Sequence, residues 1–168
     1  MSVAADTVPI MSETGVVVRP ATVADLEGIV ACSSALFAED AGARDLTLDP
    51  SWPAEHGPAW FAGALDDPDR LVMVAEAGGR IIGHLSGRLS GPTPMRPITV
   101  ATLGSIYVRP AHRGRKIGAD LVEEFRAWAR RHGARYAGVT AYASNEAAVR
   151  FYERNGFAAR SVVLETAL

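Results

Sequence analysis

The stretch from residue 106 to residue 122 constrains the fold of this chain more than any other. Apolar and β-favouring residues lead up to Val108, and Pro110 ends the strand because proline fixes φ and donates no ladder hydrogen bond. A basic turn with glycines follows over residues 113–118, and an amphipathic helix begins directly after it. The sequence therefore predicts a strand, a cationic turn and a helix N-terminus in immediate succession.

This succession is typical of an anion-binding site. The first N–H groups of a helix lack partners within the helix, and the helix dipole makes that end positive. Glycine lets the main chain approach a phosphate closely, and Arg113, Arg115 and Lys116 add full charges. The alternative is an exposed basic turn in which the glycines only allow the backbone to adopt its conformation.

Two other phosphate-binding motifs are excluded. A P-loop requires Ser or Thr after Gly-Lys to hold magnesium, and here Ile117 follows Lys116. A dinucleotide fingerprint requires Gly-x-Gly-x-x-Gly, a spacing that Gly114 and Gly118 do not supply. The predicted ligand is therefore a polyphosphate that is held without a metal ion.

The composition limits the class of protein further. With 168 residues, 48% of them hydrophobic and 21% charged, the chain can form one globular domain with a substantial core. The net charge of −2 does not favour general binding to nucleic acid. Cys32 is the single cysteine, which excludes an internal disulfide and suits a reducing compartment. No apolar run approaches the ~20 residues that span a bilayer, so we expect a cytoplasmic protein without a membrane partner.

The N-terminal residues differ in character from the rest. Residues 1–14 lack the basic region and the apolar core of a secretory signal, and we interpret them as a flexible leader with Met11 as an alternative start. We expect residues 15–168 to form a single domain, because no linker, repeat or low-complexity segment interrupts them.

The remaining segments alternate between strand-like and helix-like patterns. Thr22-Val-Ala-Asp25 resembles a capping box before a helix that is expected to end near Ala38, and residues 39–50 are expected to be irregular and acidic. Gly78-Gly79 predicts a hairpin turn. The other expected strands cover 15–20, 70–77, 81–89, 98–109, 135–142 and 157–168, and the other helices cover 51–66, 117–132 and 145–155. This mixture favours an α/β or α+β fold around one mainly antiparallel sheet.

A second informative stretch runs from Tyr142 to Phe157, where a strand ends and a capped helix begins. Asn145 offers an amide that can bond a peptide-like ligand. Tyr152 offers a phenol with a reference pKa near 10, which suits it to protonate a strongly basic leaving group. The alternative is that Phe151 and Tyr152 are both packing aromatics.

The two stretches together resemble the GNAT superfamily of N-acetyltransferases. The motifs Val108-x-Pro-x-x-Arg-Gly-x-x-Ile-Gly118 and Asn145…Phe151-Tyr152…Gly156-Phe157 stand in the family's order and spacing. The resemblance implies a GNAT-like, mainly antiparallel central sheet that is flanked by helices and splayed to bind acetyl-CoA. It further implies that an acetyl group passes from acetyl-CoA, as co-substrate, to a primary amine by direct attack, without a metal.

The resemblance also implies roles for individual residues. Ile106, Tyr107 and Val108 would lend strand main-chain groups to the pantetheine arm, which Asn145 would also meet. Tyr152 would contact the coenzyme and protonate the leaving thiolate of CoA as general acid. The sheet would splay between the strand that ends at Val108 and the strand that ends at Tyr142. The pyrophosphate would be cradled by Arg113, Gly114, Arg115, Lys116, Ile117, Gly118 and Ala119.

Two departures from the family pattern matter. Lys116 stands where the Gln/Arg-x-x-Gly-x-Gly pattern has its first glycine; lysine can still supply its main-chain N–H if its φ stays negative, so we expect only a modest change. The positions that match the family's general base are Thr102 and Gly104, and neither residue can accept a proton. The general base is therefore not identified by the sequence.

Three residues are candidates for the acceptor side. Glu39 and Asp40 lie where GNAT enzymes build the acceptor site and would favour a cationic amine, unless they form only a solvated loop. His84 could deprotonate the amine through water, or could be a hydrogen-bonded histidine on a strand face. The expected acceptor is a small molecule such as an amino sugar, polyamine, amino-acid derivative or antibiotic, and a protein N-terminus or lysine stays open.

Other functional classes remain as alternatives. A non-catalytic acyl-CoA-binding sensor would explain the missing base, although Tyr152 argues against it. A nucleic-acid-binding module is disfavoured by the net charge and by the lack of an aromatic stacking platform. The interpretation also allows a homodimer.

Overall fold

The computed structural model of the chain describes residues 10–11 and 15–168. Within them, one six-stranded sheet follows the order of the strands along the chain. Its strands are β1 (Ile10–Met11), β2 (Val16–Pro20), β3 (Arg70–Ala77), β4 (Arg80–Ser90), β5 (Thr99–Val108) and β6 (Ala134–Val139). Neighbours from β1 to β5 pair antiparallel, and only β5 and β6 pair parallel. The predicted α/β fold with a mainly antiparallel sheet is confirmed.

Helices cover both faces of the sheet. The α-helices are α1 (Leu26–Leu36), α2 (Gly42–Arg44), α3 (Trp52–Glu55), α4 (Gly57–Asp66), α5 (Ile117–Arg131) and α6 (Glu146–Arg154). They are accompanied by single 3-10 turns at Val23–Asp25 and Pro110–His112 and by a π-helical turn at Phe37–Ala41. Val72 and Val74 of β3 pack against α1 and α4, whereas Met73 belongs to the cluster that packs on α5. This alternation places β3 between two apolar layers. Within the described residues no helix is both long and apolar enough to cross a membrane.

Two predicted turns have the expected local cause. Gly78 and Gly79 join β3 to β4 with φ of +55° and +76°, the left-handed values that a type I′ hairpin turn requires. Gly133 follows α5 with φ of +74° and ends that helix as a C-terminal cap. These glycines therefore define the β3–β4 hairpin and the connection from α5 to β6.

Asp25 fixes the start of α1. Its carboxylate accepts hydrogen bonds from both terminal nitrogens of Arg19, at 2.7 and 2.8 Å, and from the N–H of Thr22 at 2.8 Å, which is the reciprocal half of the predicted capping box. Arg19 also pairs with Glu76 on β3 at 2.6 Å. The Arg19 guanidinium lowers the pKa of Asp25, which is itself buried, to about 2.

We expect Asp25→Asn to lower the free energy of unfolding at pH 7 by about 2 kcal/mol. The folded pKa of about 2 lies below the unfolded value near 3.9, so this stabilisation is complete above about pH 4 and is lost as the pH falls through 2. Urea unfolding from pH 7 down to pH 2 measures it. Between pH 7 and pH 2 the free energy of unfolding should fall less in the variant than in wild type. Equal losses would contradict a stabilising, ionised Asp25. Asp67→Asn, which removes an exposed ion pair to Arg70, is the matched control.

The structure corrects two predicted helix bounds. The first helix does not end near Ala38, because its chain continues through the π-helical turn Phe37–Ala41 and through α2. The helix predicted over 51–66 is divided at His56, since Pro58 has no N–H to donate to the carbonyl of Ala54.

The predicted last strand, residues 157–168, is wrong. Phe157 packs against the main core, but the following residues are exposed and form no strand, with Val162 and Leu164 among the most exposed apolar side chains. An alternating segment forms a strand only where a neighbouring strand can share hydrogen bonds with it. Here the C-terminal segment does not pair with β6, which remains the edge strand of the sheet. Of the predicted leader, Ile10–Met11 pairs with β2 and the other residues lie outside those described.

Candidate functional site

The parallel strands β5 and β6 separate part-way along their length. They pair from Thr99 to Leu103 on β5, and the last pair joins Leu103 to Val139. Beyond this point β5 continues to Val108 without β6 beside it. The predicted splay is therefore present, although β6 ends at Val139 rather than at Tyr142.

The edge of β5 inside the splay carries main-chain groups. The N–H of Arg109 donates to the carbonyl of Ile82 at 2.8 Å, so the N–H and C=O of Val108 point away from β4 and into the splay. The same alternation directs the main chain of Ile106 into the splay and that of Tyr107 towards β4. Ile106 and Val108 thus fit the expected main-chain role, whereas Tyr107 contributes its side chain.

The basic turn leads directly into the N-terminus of α5. The N–H of Asp120 donates to the carbonyl of Lys116 at 3.0 Å and makes the first bond of the helix. The preceding N–H groups, of Ile117, Gly118 and Ala119, have no acceptor within the helix. They lie where the sequence predicts an anion-binding end, beside the exposed Arg115.

Lys116 does not keep the negative φ on which the expected modest change depends. Lys116 has φ of +65°, the left-handed conformation, and it is the one non-glycine residue with positive φ in the described chain. Together with Gly114, at φ of +76°, it reverses the chain between the 3-10 turn and α5. A side chain costs about 1–2 kcal/mol in this conformation, so the turn holds strain at the position where the family pattern has glycine.

Gly118 brings α5 close to α6. A Cβ at this position would lie 3.1 Å from Cε2 and 3.2 Å from Cζ of Phe151. The ring of Phe151 therefore lies against the main chain at the start of α5, which only glycine allows without displacement. The two predicted motifs meet at this contact.

Asn145 caps α6. Its Oδ1 accepts from the N–H of Ala148 at 3.1 Å, and its Nδ2 donates to Oδ1 of Asp40 at 2.8 Å. The cap fixes the orientation of the amide, so that its N–H₂ end points across the splay. Asn145 is therefore the N-cap residue of α6.

Tyr152 lies on α6 with its ring between Phe151 and Phe157, at centroid distances of 5.3 and 5.8 Å. Among the described residues its hydroxyl has no hydrogen-bond partner. Burial, and to a lesser extent the negative charge of Asp40, raises the pKa of Tyr152 to about 12. The phenol is therefore protonated throughout the physiological range.

Glu39 and Asp40 lie on the π-helical turn Phe37–Ala41, which we call the acidic turn, and they contact both sides of the splay. Oε1 of Glu39 accepts from the Tyr107 hydroxyl at 2.7 Å, and Oε2 lies 2.6 Å from Nη2 of Arg113. These two hydrogen bonds, that of Tyr107 first, lower the pKa of Glu39. Asp40 accepts from Asn145 and, at 2.6 Å, from Nε of Arg44. Both carboxylates are therefore paired with predicted coenzyme residues or with a neighbouring arginine.

His84 is fully buried on β4. Its Nε2 lies 3.2 Å from Oγ of Ser105, which lies 2.7 Å from Oγ of Ser86. Its Nδ1 is buried and has no hydrogen-bond partner within the described part of the chain. Burial lowers the pKa of His84 to about 4, so the ring is neutral at pH 7. This setting favours the hydrogen-bonded strand histidine over a base that acts through water. Sequence reasoning missed Ser86 and Ser105, because nothing in their local pattern indicates a chain of polar contacts across two strands.

The described residues contain no cluster of three or more His, Cys, Asp or Glu side chains that could hold a metal ion.

The sequence model of the Acetyltransferase (GNAT) family matches residues 37–157, which include the acidic turn, the splay and both motifs. The chain belongs to this family. The GNAT match extends over most of the chain and ends at Phe157, the residue after which the exposed C-terminal segment begins.

Two curated GNAT relatives share part of the chain. The N-alpha-acetyltransferase RimI of Mycobacterium tuberculosis is 35% identical over 109 residues, which cover 65% of this chain and 63% of the relative. An uncharacterized N-acetyltransferase of Methanocaldococcus jannaschii is 30% identical over 91 residues, which cover 54% of this chain and 40% of the relative. The chain therefore spans less than two thirds of the length of either protein.

Solved structures share the fold over nearly the whole chain. A tetramutant of the BH1408 protein of Bacillus halodurans is 21% identical, with a TM-score of 0.81 over 90% of this chain and 99% of that one. The aminoglycoside N-acetyltransferase AAC(6')-Iy in complex with CoA is 17% identical, with a TM-score of 0.71 over 90% of this chain and 98% of that one. Both likenesses establish the GNAT fold.

Proposed function

We propose that this chain transfers the acetyl group of acetyl-CoA to a primary amine of a small molecule. The observation that carries the proposal is the arrangement around the splay. An open main-chain edge on β5, unpaired N–H groups at the start of α5 and a protonated phenol on α6 all border one opening. This arrangement suits a ligand with a polyphosphate, a peptide-like arm and a reactive end.

The coenzyme would lie along β5 with its pyrophosphate at α5. The N–H groups of Ile117, Gly118 and Ala119 would bind phosphate oxygens, with Arg115 and Lys116 adding charge. The main chain of Ile106 and Val108 and the amide of Asn145 would bind the pantetheine amides, as one strand binds another. The thioester would then lie deeper in the splay, towards Gly104.

The reaction would proceed by direct attack of the amine nitrogen on the thioester carbonyl carbon. The C–S bond of the resulting tetrahedral species breaks, and negative charge develops on sulfur. The Tyr152 hydroxyl would donate a hydrogen bond to this sulfur and deliver a proton as it leaves. With a pKa of about 12, the resulting phenolate readily regains a proton from the attacking nitrogen, which carries a positive charge after the attack and must lose one proton to become the neutral amide.

No base on the strand accompanies this acid. Thr102 and Gly104 cannot accept a proton, and the buried His84 resists protonation because its pKa is about 4. The amine would therefore react as the fraction that is neutral in solution. The rate at limiting amine should rise with pH until the amine reaches its own pKa.

Two acceptor classes have specific support. The GNAT fold is shared with aminoglycoside N-acetyltransferases, and the acidic turn would suit a small cationic amine of that kind. The 35% identity to an N-alpha-acetyltransferase supports an α-amino group as the second candidate. A non-catalytic acyl-CoA-binding sensor is the alternative outside catalysis.

Calorimetry with acetyl-CoA, CoA and a short DNA duplex, followed by an amine screen that detects free thiol, tests the proposal. The screen should contain aminoglycosides, polyamines and peptides with a free α-amino group. We expect acetyl-CoA to bind, DNA not to bind, and thiol release to require one amine class. Binding of acetyl-CoA without turnover of any amine would favour the sensor, and a lack of binding would overturn the coenzyme assignment.

A further inference from the structure

The two adjacent carboxylates of the acidic turn form hydrogen bonds with side chains on opposite sides of the splay. Glu39 binds Tyr107 and Arg113 on the β5 side, at 2.7 and 2.6 Å. Asp40 binds the Nδ2 of Asn145 on the α6 side, at 2.8 Å. The turn therefore crosses the splay at the level of the proposed pantetheine and pyrophosphate sites.

We propose that the acidic turn closes the coenzyme site, and that acetyl-CoA binds by displacing Glu39 and Asp40 from their partners. The proposal rests on the coenzyme site described above. Glu39 holds Nη2 of Arg113, and Asp40 holds one of the two N–H groups of Asn145 Nδ2, so a phosphate oxygen or a pantetheine carbonyl competes with these carboxylates for the same donors. A carboxylate left in place would also repel the pyrophosphate.

Arg113 strengthens the closure on the β5 side. Its Nε donates to the carbonyl of Val108 at 2.8 Å, and its guanidinium lies 5.3 Å from the centre of the Tyr107 ring. The carbonyl of Val108 is one of the main-chain groups that face the splay. The arginine that Glu39 holds therefore also covers part of the edge on which the pantetheine would lie.

The contacts are weak enough to be displaced. The side chains of Arg113 and Glu39 are 48% and 41% exposed, and an ion pair of this kind contributes about 0–1 kcal/mol. The π-helical conformation is rare and is associated with functional sites. A Cβ at Gly42 would lie 2.9 Å from the carbonyl oxygen of Phe37, so this glycine is required for the turn to close on itself.

Displacement has a consequence for the acceptor. Glu39 would lose its cationic partner Arg113, whereas Asp40 would lose Asn145 but keep its ion pair with Arg44 on the same segment. A cationic amine would then find the carboxylate of Glu39 without its cationic partner. Removing the carboxylates should therefore strengthen the binding of the coenzyme, whereas a purely supporting role of the carboxylates predicts weaker binding.

The test is the affinity and association rate of CoA for wild type and for the double variant Glu39→Gln/Asp40→Asn. We expect CoA to bind the double variant about 3–10-fold more tightly, mainly through faster association, because two amides replace the competing charges. Glu123→Gln is the matched control, since Glu123 is an exposed carboxylate paired with Arg130 at 2.7 Å on the outside of α5. It should leave the affinity unchanged.

A second variant perturbs the conformation of the acidic turn without altering any charge. Gly42→Ala should loosen the acidic turn and also speed CoA association. Unchanged CoA affinity in both variants, or weaker binding than wild type, would overturn the closure and make the two carboxylates supports for Arg113 and Asn145. Failure of wild type itself to bind CoA would instead remove the coenzyme site on which the closure depends. Circular dichroism and thermal unfolding establish that each variant is folded.

Discussion

Replacing Tyr152 with phenylalanine is expected to lower kcat for acetyl transfer by about 10²–10⁴, the usual contribution of a positioned acid. The substitution removes only the hydroxyl and keeps the ring that packs between Phe151 and Phe157. Stability and the affinity for acetyl-CoA should therefore remain within a few-fold of wild type. An interaction that is made only in the transition state affects kcat and not ground-state binding.

Single-turnover thiol release under saturating acetyl-CoA measures this effect, because it isolates the chemical step. Tyr136→Phe, at an exposed tyrosine on β6, removes an equivalent hydroxyl away from the splay and should leave kcat unchanged. If Tyr152→Phe turns over at the wild-type rate, Tyr152 is a packing residue. Water or another group would then protonate the thiolate.

The second large effect is expected from Gly118→Val, which should weaken CoA binding by roughly 5–150-fold, the equivalent of about 1–3 kcal/mol of overpacking. The sequence alone suggests that the new side chain would block the approach of a phosphate. The structure gives a different obstacle, because a Cβ at residue 118 would lie 3.1 Å from the ring of Phe151. The substitution should therefore push α6, with Asn145 and Tyr152, away from the N-terminus of α5.

A second-site change separates the two explanations. If the Phe151 ring is the obstacle, Gly118→Val combined with Phe151→Leu should recover much of the lost CoA affinity. If the valine blocks the phosphate directly, the double variant should bind no better than the single one. Gly63→Val is the control for adding a branched side chain to a helical glycine, since no atom lies within 4 Å of its Cβ position.

The sequence predicts well those parts of the fold that local chemistry determines. Residues 70–77 form β3 as expected, and Gly78-Gly79 makes the turn because both glycines adopt positive φ. The helix after the basic turn is correct because its apolar face repeats at helical spacing over four turns. The last strand fails because a strand also needs a partner, and no local pattern identifies one.

The candidate site shows the same contrast between features that local sequence determines and features that depend on distant residues. The strand that ends near Val108 and the capped helix at Asn145 are predicted from short-range signals, and the resemblance to the GNAT family implies that these segments border the splay. The pairing of Glu39 with Arg113 and of Asp40 with Asn145 could not be predicted, since 74 and 105 residues separate the partners. The positive φ of Lys116 was missed because lysine rarely adopts it, and only the surrounding turn imposes it.

The pairing of the strands divides the chain into two units of unequal cooperativity. From β1 to β5 the strands pair antiparallel with their neighbours, whereas β6 lies at the edge of the sheet and joins β5 by five parallel residue pairs after the crossover through α5. Sub-global opening should therefore release β6 and α6 while the meander stays folded. Amide hydrogen exchange should be faster in this C-terminal unit than in β3 and β4. Because acetyl-CoA would join β5, α5 and α6, its binding should slow exchange most in that unit, and uniform slowing across the sheet would contradict the division.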